Sequence, residues 1–313
     1  MKDDKQVLII IGGPTASGKS SLAVELARHF DGEILNADSM QVYRDMDVGT
    51  AKPSMTERKG IPHHLLDVVD PDEDFNAAIY RALAVPRLKE IALKKKLCFA
   101  VGGTGLYIKT LLGGLIECPP PVQALRNELR QECEKRGTGF VYERLRLLDP
   151  ESALKIHPHD KLRIIRALEI FYLAHERPSS LMRKHGFRNT PFRTLKICLQ
   201  IERKHLYHRI DERCQAMIEN DLVGETENLL RKGYSPHLKP MMSLGYRHMI
   251  KYLEGIWDLD ESLRRLQTDT RRYAKRQLTW FRADPEVIWM VPGRLDDIVK
   301  IIDDFIGSGT FNN

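Results

Sequence analysis

The chain has 313 residues, of which 42% are hydrophobic and 29% are charged. This composition is ordinary for a globular protein, and the length is enough for one large core or two smaller ones. No apolar stretch approaches the length of a membrane-spanning helix, and the N-terminal sequence MKDDKQ carries acidic residues and leads straight into a strand, unlike a secretory signal. We therefore expect a cytoplasmic protein that does not enter a membrane.

The net charge of +6 is small for this length, but its distribution is informative. Basic residues are concentrated between residues 121 and 190 and again between residues 264 and 282. Two basic regions that lie far apart in sequence can flank one polyanion, so nucleic acid is an expected class of partner.

The first motif lies between an apolar strand-like segment and a segment whose apolar residues have helical spacing. Eight residues fit the pattern G-x-x-x-x-G-K-[ST]: Gly13, Pro14, Thr15, Ala16, Ser17, Gly18, Lys19 and Ser20. In such a loop, backbone N–H groups and the helix N-terminus bind phosphate oxygens, the lysine bridges the terminal phosphates and the last hydroxyl binds Mg²⁺. The motif therefore predicts a phosphate-binding loop with Ser20 as a metal ligand.

Two further strands are predicted, over residues 33–37 and 96–101. The second ends in the sequence GGTG, without the metal-binding carboxylate that an ordinary P-loop NTPase has at this point. The first ends at Asp38, at the edge where open α/β sheets bind ligands. This carboxylate could accept a proton from a nucleophile, and it could equally cap the following turn.

Several longer motifs resemble the tRNA dimethylallyltransferase family, in the same order and at similar spacing. They are GPTASGKS, NADSMQVYRDMDVGTAKP, IPHHLLDVVDP, VGGTGLYIKTLL, HDKLRIIRALEI, LGYRHMIKYLEG and TRRYAKRQLTWFR. The resemblance extends from about residue 7 to residue 282. It implies transfer of a dimethylallyl group from dimethylallyl diphosphate to N6 of the adenosine immediately 3′ of the tRNA anticodon, with Mg²⁺ as cofactor.

The resemblance also implies roles for individual residues. The loop of residues 13–20 would hold the diphosphate, with Thr15 near the bridging oxygen of the leaving group. Asp38 would act as general base for the N6 amine, Thr104 would support the site, and Arg126 would lie close to the diphosphate. These roles are chemically consistent, because a weakly nucleophilic amine needs alignment with the allylic carbon and stabilisation of the departing charge.

The expected acceptor is the anticodon stem-loop of tRNA, with its target base out of the stack. The predicted tRNA-binding residues are Asp38, Ser39, Met40 and Gln41 near the site, Leu162, Arg163, Ile164, Ile165 and Arg166 in one helix, and Arg271, Lys275 and Arg276 in another. The sequence departs from the family's pattern at Leu162 and Ile165, where the family usually has Gln and a small polar residue.

We predict an α/β fold with a P-loop NTPase-like core, in which a parallel sheet is flanked by helices, plus an all-helical insertion domain. The core takes residues 1–118 and 192–313, and the insertion, residues 119–191, would contact tRNA. Helices are predicted in the insertion over residues 122–135, 142–148 and 161–174, with the sequences GTG and DP as breakers between them.

The C-terminal part of the core is predicted to contain a strand over residues 194–201 and a basic helix over residues 261–282. The apolar stripe expected to face the core on this helix contains Leu263, Leu266, Tyr273, Leu278 and Phe281. Its basic residues lie largely off the stripe, where they could bind RNA phosphates. Arg213, earlier in the chain, could reach the active site or form a surface ion pair.

Three other functions share some of these features. A P-loop nucleoside or nucleotide kinase has the same loop and sheet, but it has no need for a basic C-terminal helix. A prenyltransferase acting on free adenine nucleotides would not need the basic insertion. A non-catalytic, nucleotide-gated RNA-binding module would bind both ligands without forming product. We expect a monomer with no stable protein partner.

Overall fold

The computed structural model describes residues 5–116, 118–186 and 191–308. Two compact units are present: a core unit, Met1–Leu112 with Pro191–Asn313, and a helical unit, Gly113–Thr190. The helical unit begins at residue 113, where the sequence predicted 119, and it ends at residue 190, where the sequence predicted 191. Among the described residues, no helix is both long enough and apolar enough to cross a membrane.

The core unit is built on a six-stranded parallel sheet, which confirms the predicted fold class. Its strands are β1 Gln6–Gly12, β2 Glu33–Asn36, β3 His63–His64, β4 Cys98–Gly102, β5 Phe192–Leu199 and β6 Val287–Met290. Their order across the sheet is β3-β2-β4-β1-β5-β6, and each neighbouring pair is parallel. The carboxyl ends of β2, β4 and β1 are therefore neighbours at one edge, where such sheets bind ligands.

Helices connect the strands and form the whole of the helical unit's secondary structure within the described residues. Before and at the start of that unit lie α1 Lys19–His29, α2 Met55–Arg58, α3 Ala77–Leu93 and α4 Gly105–Gly113. The helical unit continues with α5 Gln123–Arg136, α6 Thr138–Leu148, α7 Pro150–Lys155, α8 Lys161–Ala174 and α9 Pro178–His185. The chain then adds α10 Arg203–Glu219, α11 Leu222–Arg231, α12 Tyr246–Leu253, α13 Leu259–Arg282 and α14 Leu295–Gly307.

The predicted breakers in the helical unit are only partly right. Gly137, with φ of 85°, separates α5 from α6, but α6 already begins at the next residue. The DP sequence ends α6 at Leu148, as predicted, and Pro150 then starts a further helix, α7, because proline at the first helical position has no intrahelical N–H bond to lose. Asp149 caps this helix by accepting a hydrogen bond from the Ser152 amide at 3.1 Å.

Both faces of the sheet are covered, which explains the uninterrupted apolar run in β1. Leu8 and Ile10 pack on one face in a cluster that includes the buried side of α3. Ile9 and Ile11 pack on the other face with Leu26 of α1. Successive strand residues point to opposite faces, so a strand buried on both sides is apolar throughout.

The buried face of α13 differs from the predicted stripe. The buried residues are Ser262, Leu266, Thr270, Ala274, Gln277 and Phe281. Leu263 and Leu278 are only partly buried against the core, and Tyr273 lines a cavity. A hydrophobicity pattern could not predict this face, because three of its six buried residues, Ser262, Thr270 and Gln277, are polar.

A buried carboxylate organises the helical unit. Glu169 of α8 is 0% exposed and accepts hydrogen bonds from the Val122 amide (3.0 Å), Arg126 (3.0 Å) and Arg166 (2.5 Å). Burial on its own would raise the pKa of Glu169, but the hydrogen bonds from the two guanidinium groups outweigh it, so the pKa lies below its usual value. Glu169 thus ties the start of α5 to α8.

We expect Glu169→Gln to lower the free energy of unfolding by about 2 kcal/mol at neutral pH, since two half-buried cations lose their carboxylate. The folded-state pKa of Glu169 is depressed, so the wild type loses this stabilisation as the pH falls through and below the carboxyl's unfolded value, about 4.3. The difference between wild type and variant should therefore stay nearly constant from pH 7 to about pH 5 and shrink as the pH falls further, below about 4.3. Urea titrations measure both quantities.

The matched control is Glu143→Gln, which removes a carboxylate from an exposed pair with Arg146 on α6. Exposed pairs contribute about 0–1 kcal/mol, so this variant should unfold almost like the wild type. Equal losses in the two variants would contradict the assigned role of Glu169.

Candidate functional site

The ends of β2 and β4 are joined by backbone contacts at the sheet edge. The amide of Ala37, after β2, donates to the carbonyl of Val101 in β4 at 2.8 Å, and the amide of Thr104 donates to the carbonyl of Ala37 at 3.2 Å. A Cβ at Gly102 would lie 2.2 Å from the Ala37 oxygen, so only glycine allows this approach. The turn that carries Asp38 is therefore held directly against the glycine-rich turn after β4.

The loop after β1 has the backbone of an anion-binding loop. Gly13, Ala16 and Gly18 have φ values of 146°, 62° and 86°. Helix α1 then begins at Lys19 without a side-chain cap, so the amides of its first turn have no partner within the helix. These amides and the helix dipole favour a bound anion, as the motif predicts.

Lys19 is the one charged residue in the sequence of this loop. Its Nζ donates to the Pro14 carbonyl at 3.3 Å, so the side chain folds back over the loop. Burial is the main cause that lowers the pKa of Lys19 to about 8, while Asp38 raises it and Arg213 lowers it further. A bound anion would relieve this penalty by stabilising the charged form.

Asp38 is fixed by its own turn. Its amide donates to Oδ1 of Asn36 at 3.0 Å, and its Oδ1 accepts the amide of Met40 at 2.9 Å. The same carboxyl group lines a cavity together with Thr15 and Arg213. The carboxylate therefore caps the turn and also lines the cavity, and its role as a proton acceptor stays a prediction.

Thr104 supports that turn from the neighbouring strand end. Its Oγ1 accepts the amide of Ser39 at 3.0 Å and donates to the Ser39 hydroxyl at 3.3 Å. The structure therefore brings Thr104 and Ser39 together beside Asp38. Through its hydrogen bond to the Ser39 amide, Thr104 stabilises the turn that carries Asp38.

Arg213 of α10 reaches the site from the other side. Its Nη2 is 3.5 Å from the Thr50 carbonyl, and its guanidinium lines the cavities that contain Asp38 and Lys19. Burial lowers its pKa and Asp38 raises it. The alternative of a surface ion pair is therefore excluded, and the sequence held no local signal that could have decided this.

Two adjoining cavities share these groups. A small one, about 50 Å³, is lined by Lys19, Ser20, Thr15, Asp38 and Arg213. A larger one, about 290 Å³, shares the last three residues. Its remaining wall includes Met217, Leu244, Leu266, Tyr273, Arg247 and Arg276. One cavity is suited to a compact anion and the other to a flat, partly apolar group with phosphate nearby.

A clamp around Glu225 shapes the wall of the larger cavity, and the sequence analysis did not find it. The Glu225 carboxylate accepts the amides of Asp47 (2.9 Å), Val48 (2.8 Å) and Gly49 (3.0 Å) and the hydroxyl of Tyr246 (2.6 Å). It lies on α11, far away in sequence, so only the tertiary structure reveals it.

Thr50 and Ala51, which follow the residues bound by Glu225, are hydrogen-bonded to Gln41. Its Nε2 donates to the carbonyls of Thr50 (3.2 Å) and Ala51 (3.0 Å). Both amide hydrogens of Gln41 are thus used within the protein, and any contact with a bound base would involve its oxygen.

The predicted tRNA-binding residues of α13 have different environments. Lys275 and Arg276 are exposed, and Arg276 lies over the Tyr273 ring at 5.7 Å. Arg271 forms an ion pair with Asp211 of α10 at 2.7 Å, so its charge is already partly neutralised. Lys275 and Arg276 are the better candidates for phosphate contacts.

The predictions for α8 need correction. Ile164 and Ile165 are 0% and 4% exposed and pack in the core of the helical unit, so their side chains are not available to RNA. Leu162 and Arg163 are exposed. Arg166, like Arg126 of α5, is bound to Glu169. The predicted approach of Arg126 to the diphosphate stays a prediction.

Two family models match the chain. The model described as IPP transferase matches residues 41–284, and the model described as isopentenyl transferase matches residues 6–70. Among curated relatives, a tRNA dimethylallyltransferase 2 of Geotalea uraniireducens is 50% identical over 92% of this chain and 93% of its own length. A tRNA dimethylallyltransferase of Geobacter metallireducens is 46% identical over 97% and 99%.

Solved structures give the same result. The tRNA isopentenylpyrophosphate transferase of Bacillus halodurans has a TM-score of 0.70 at 38% identity and covers 97% of both chains. A eukaryotic dimethylallyltransferase acting on tRNA has a TM-score of 0.83 at 28% identity, over 97% of this chain and 80% of the other. Family models, relatives and structures agree over nearly the whole chain, and the chain therefore belongs to the IPP transferase family.

Proposed function

We propose that this chain transfers the dimethylallyl group of dimethylallyl diphosphate to N6 of the adenosine immediately 3′ of the anticodon in tRNA, at position 37, and releases diphosphate. The observation that carries the proposal is the pair of adjoining cavities, which share Thr15, Asp38 and Arg213. A diphosphate in the small cavity and a base in the large one would meet at these three side chains. The printed names of the relatives support tRNA as acceptor and dimethylallyl as donor group.

In this reaction the N6 lone pair forms a bond to the allylic carbon while the carbon–oxygen bond breaks, and its electron pair leaves with diphosphate. Asp38 would take the proton that N6 loses, and its hydrogen bond from Met40 keeps the carboxylate oriented. Lys19, Arg213 and the first-turn amides of α1 would stabilise the charge on diphosphate.

The residues present also fit a magnesium ion. Ser20 is exposed at the start of α1 and lines the same cavity as Lys19. Mg²⁺ is usually bound by one or two protein oxygens together with substrate phosphates, and the Ser20 hydroxyl offers such an oxygen. When bound, the ion would supply positive charge to the departing diphosphate.

The kinase interpretation is not favoured. Strand β4 ends at Gly102 and continues into Gly103, without a carboxylate for the metal of a phosphoryl transfer. Prenylation of free nucleotides and RNA binding without catalysis are separated from the proposal by the assay below. A cytoplasmic location and a monomeric state stay predictions.

We expect the protein, with Mg²⁺, dimethylallyl diphosphate and unmodified tRNA, to form N6-(dimethylallyl)adenosine, detected by mass after digestion of the RNA. Asp38→Asn keeps the oxygen that accepts the Met40 amide but removes the base, so the rate should fall about 10²–10⁴-fold. Arg213→Gln removes a charge facing the diphosphate and should lower the rate about 10²–10³-fold.

The matched control is Asp260→Asn, a carboxylate exposed on α13, which should react like the wild type. Phosphate transfer from ATP without prenylated tRNA would overturn the proposal in favour of a kinase. Prenylated AMP or ADP without prenylated tRNA would favour a nucleotide prenyltransferase.

The pKa of Lys19 predicts a pH dependence of donor binding. Its value of about 8 means that the ammonium group is charged below this pH and neutral above it. Dimethylallyl diphosphate should therefore bind about five- to tenfold more weakly at pH 9 than at pH 7.5, measured by calorimetry without tRNA. In Lys19→Arg the guanidinium stays charged and the profile should be flat. Equal slopes in both proteins would assign the titration to another group.

A further inference from the structure

Helix α13 packs directly on two glycines that follow β4. A Cβ on Gly103 would lie 1.9 Å from Nε2 of Gln277, and one on Gly105 would lie 2.0 Å from Nε1 of Trp280. A larger residue at position 103 or 105 would overlap the side chains of α13, so the close approach of this helix requires glycine at both positions. The close packing makes α13 a rigid support for the loops after β1 and β4.

Gln277 is the polar side chain at the centre of this contact, and it is 5% exposed. Its Oε1 accepts the backbone amide of Thr15 at 2.8 Å, and its Nε2 donates to the carbonyl of Gly103 at 3.1 Å. One amide group thus links the phosphate-binding loop to the turn after β4. Tyr273, one helical turn earlier, interacts with Gln277 and Thr104.

The two backbone groups that Gln277 holds lie next to the reacting groups. Thr15 lines both cavities, and Gly103 immediately precedes Thr104, whose hydroxyl holds the Ser39 amide beside Asp38. The distance between the leaving-group side of the site and the Asp38 side is therefore set through this side chain. In group transfer, a misplacement of about 1 Å can lower a rate about 10²-fold.

We propose that Gln277 is a positioning residue for the transfer reaction: it keeps the Thr15 loop and the Asp38 turn in register through its two hydrogen bonds. The inference rests on the transferase function proposed above, and it adds a residue that does not itself line either cavity but bonds to Thr15, which lines both. A side-chain amide can accept from Thr15 and donate to Gly103 at the same time, and it stays uncharged at any pH.

Gln277→Met keeps the approximate volume and removes both hydrogen bonds. The single-turnover rate at saturating tRNA and donor should fall about 10- to 100-fold, while tRNA affinity changes less than about twofold. The matched control is Ser262→Ala on the same buried face of α13, whose hydroxyl has no hydrogen-bond partner, and it should react like the wild type. A Gln277→Met rate equal to that of the control would overturn the proposal.

Gln277→Glu supplies a readout that a purely structural role would not change. An ionised carboxylate can accept from Thr15 but cannot donate to Gly103, whereas the protonated acid can do both. Burial raises the pKa of such a carboxyl group, so the rate of this variant relative to wild type should rise as the pH falls from 8 to 6. A ratio that stays constant over this range would contradict the two-bond role.

Hydrogen exchange at the Thr15 amide tests the inference independently of activity. The amide should be protected in wild type and in Ser262→Ala, and it should exchange faster in Gln277→Met. If the wild type made no prenylated tRNA, the proposed function would fail, and this measurement would still decide whether Gln277 holds the loop. Unchanged exchange in Gln277→Met would overturn the inference even if the wild type were active.

Discussion

The contact between the Ala37 backbone and Gly102 determines where the functional groups of this protein lie. Parallel pairing brings the ends of β2, β4 and β1 to one edge, but a side chain at residue 102 would hold β2 and β4 apart. With glycine there, Ala37 bonds to both Val101 and Thr104, and Asp38 follows at the site. Hydrogen bonds from Asn36, Thr104 and Gln277 then hold the Asp38 turn and the neighbouring loops in place.

The charges of the site are arranged for an anion that is not part of the protein. Two cations, Lys19 and Arg213, share a cavity with one carboxylate, Asp38, and burial lowers the pKa of both cations. A diphosphate would remove this imbalance and strengthen each attraction, because the low local dielectric that penalises isolated charge also strengthens pairs. Binding of the donor and protonation of Lys19 are therefore coupled, because each stabilises the other.

Sequence patterns predicted the parts of the fold that depend on local chemistry. The phosphate-binding loop, the neighbouring strands and α8 were recognised because glycine spacing, apolar runs and helical periodicity are local signals. The patterns gave wrong or incomplete predictions where a polar residue is buried or where apolar residues of a basic helix pack in a core. Gln277 is polar and buried, so the predicted stripe of α13 missed it, although Leu266 and Phe281 are buried as predicted. Ile164 and Ile165 were placed on an RNA surface although they pack in a core.

The sequence by itself determined the family, the fold class, the phosphate-binding loop and the placement of Asp38 at a strand end. Each of these follows from residues close together in the chain or from motifs in a characteristic order. Only the tertiary structure decided that Arg213 faces the site, that Glu225 holds the cavity wall and that Gln277 bridges two loops. These three residues act on partners more than 150 positions away, and no local pattern records such a contact, because it exists only when the helices pack against the sheet edge.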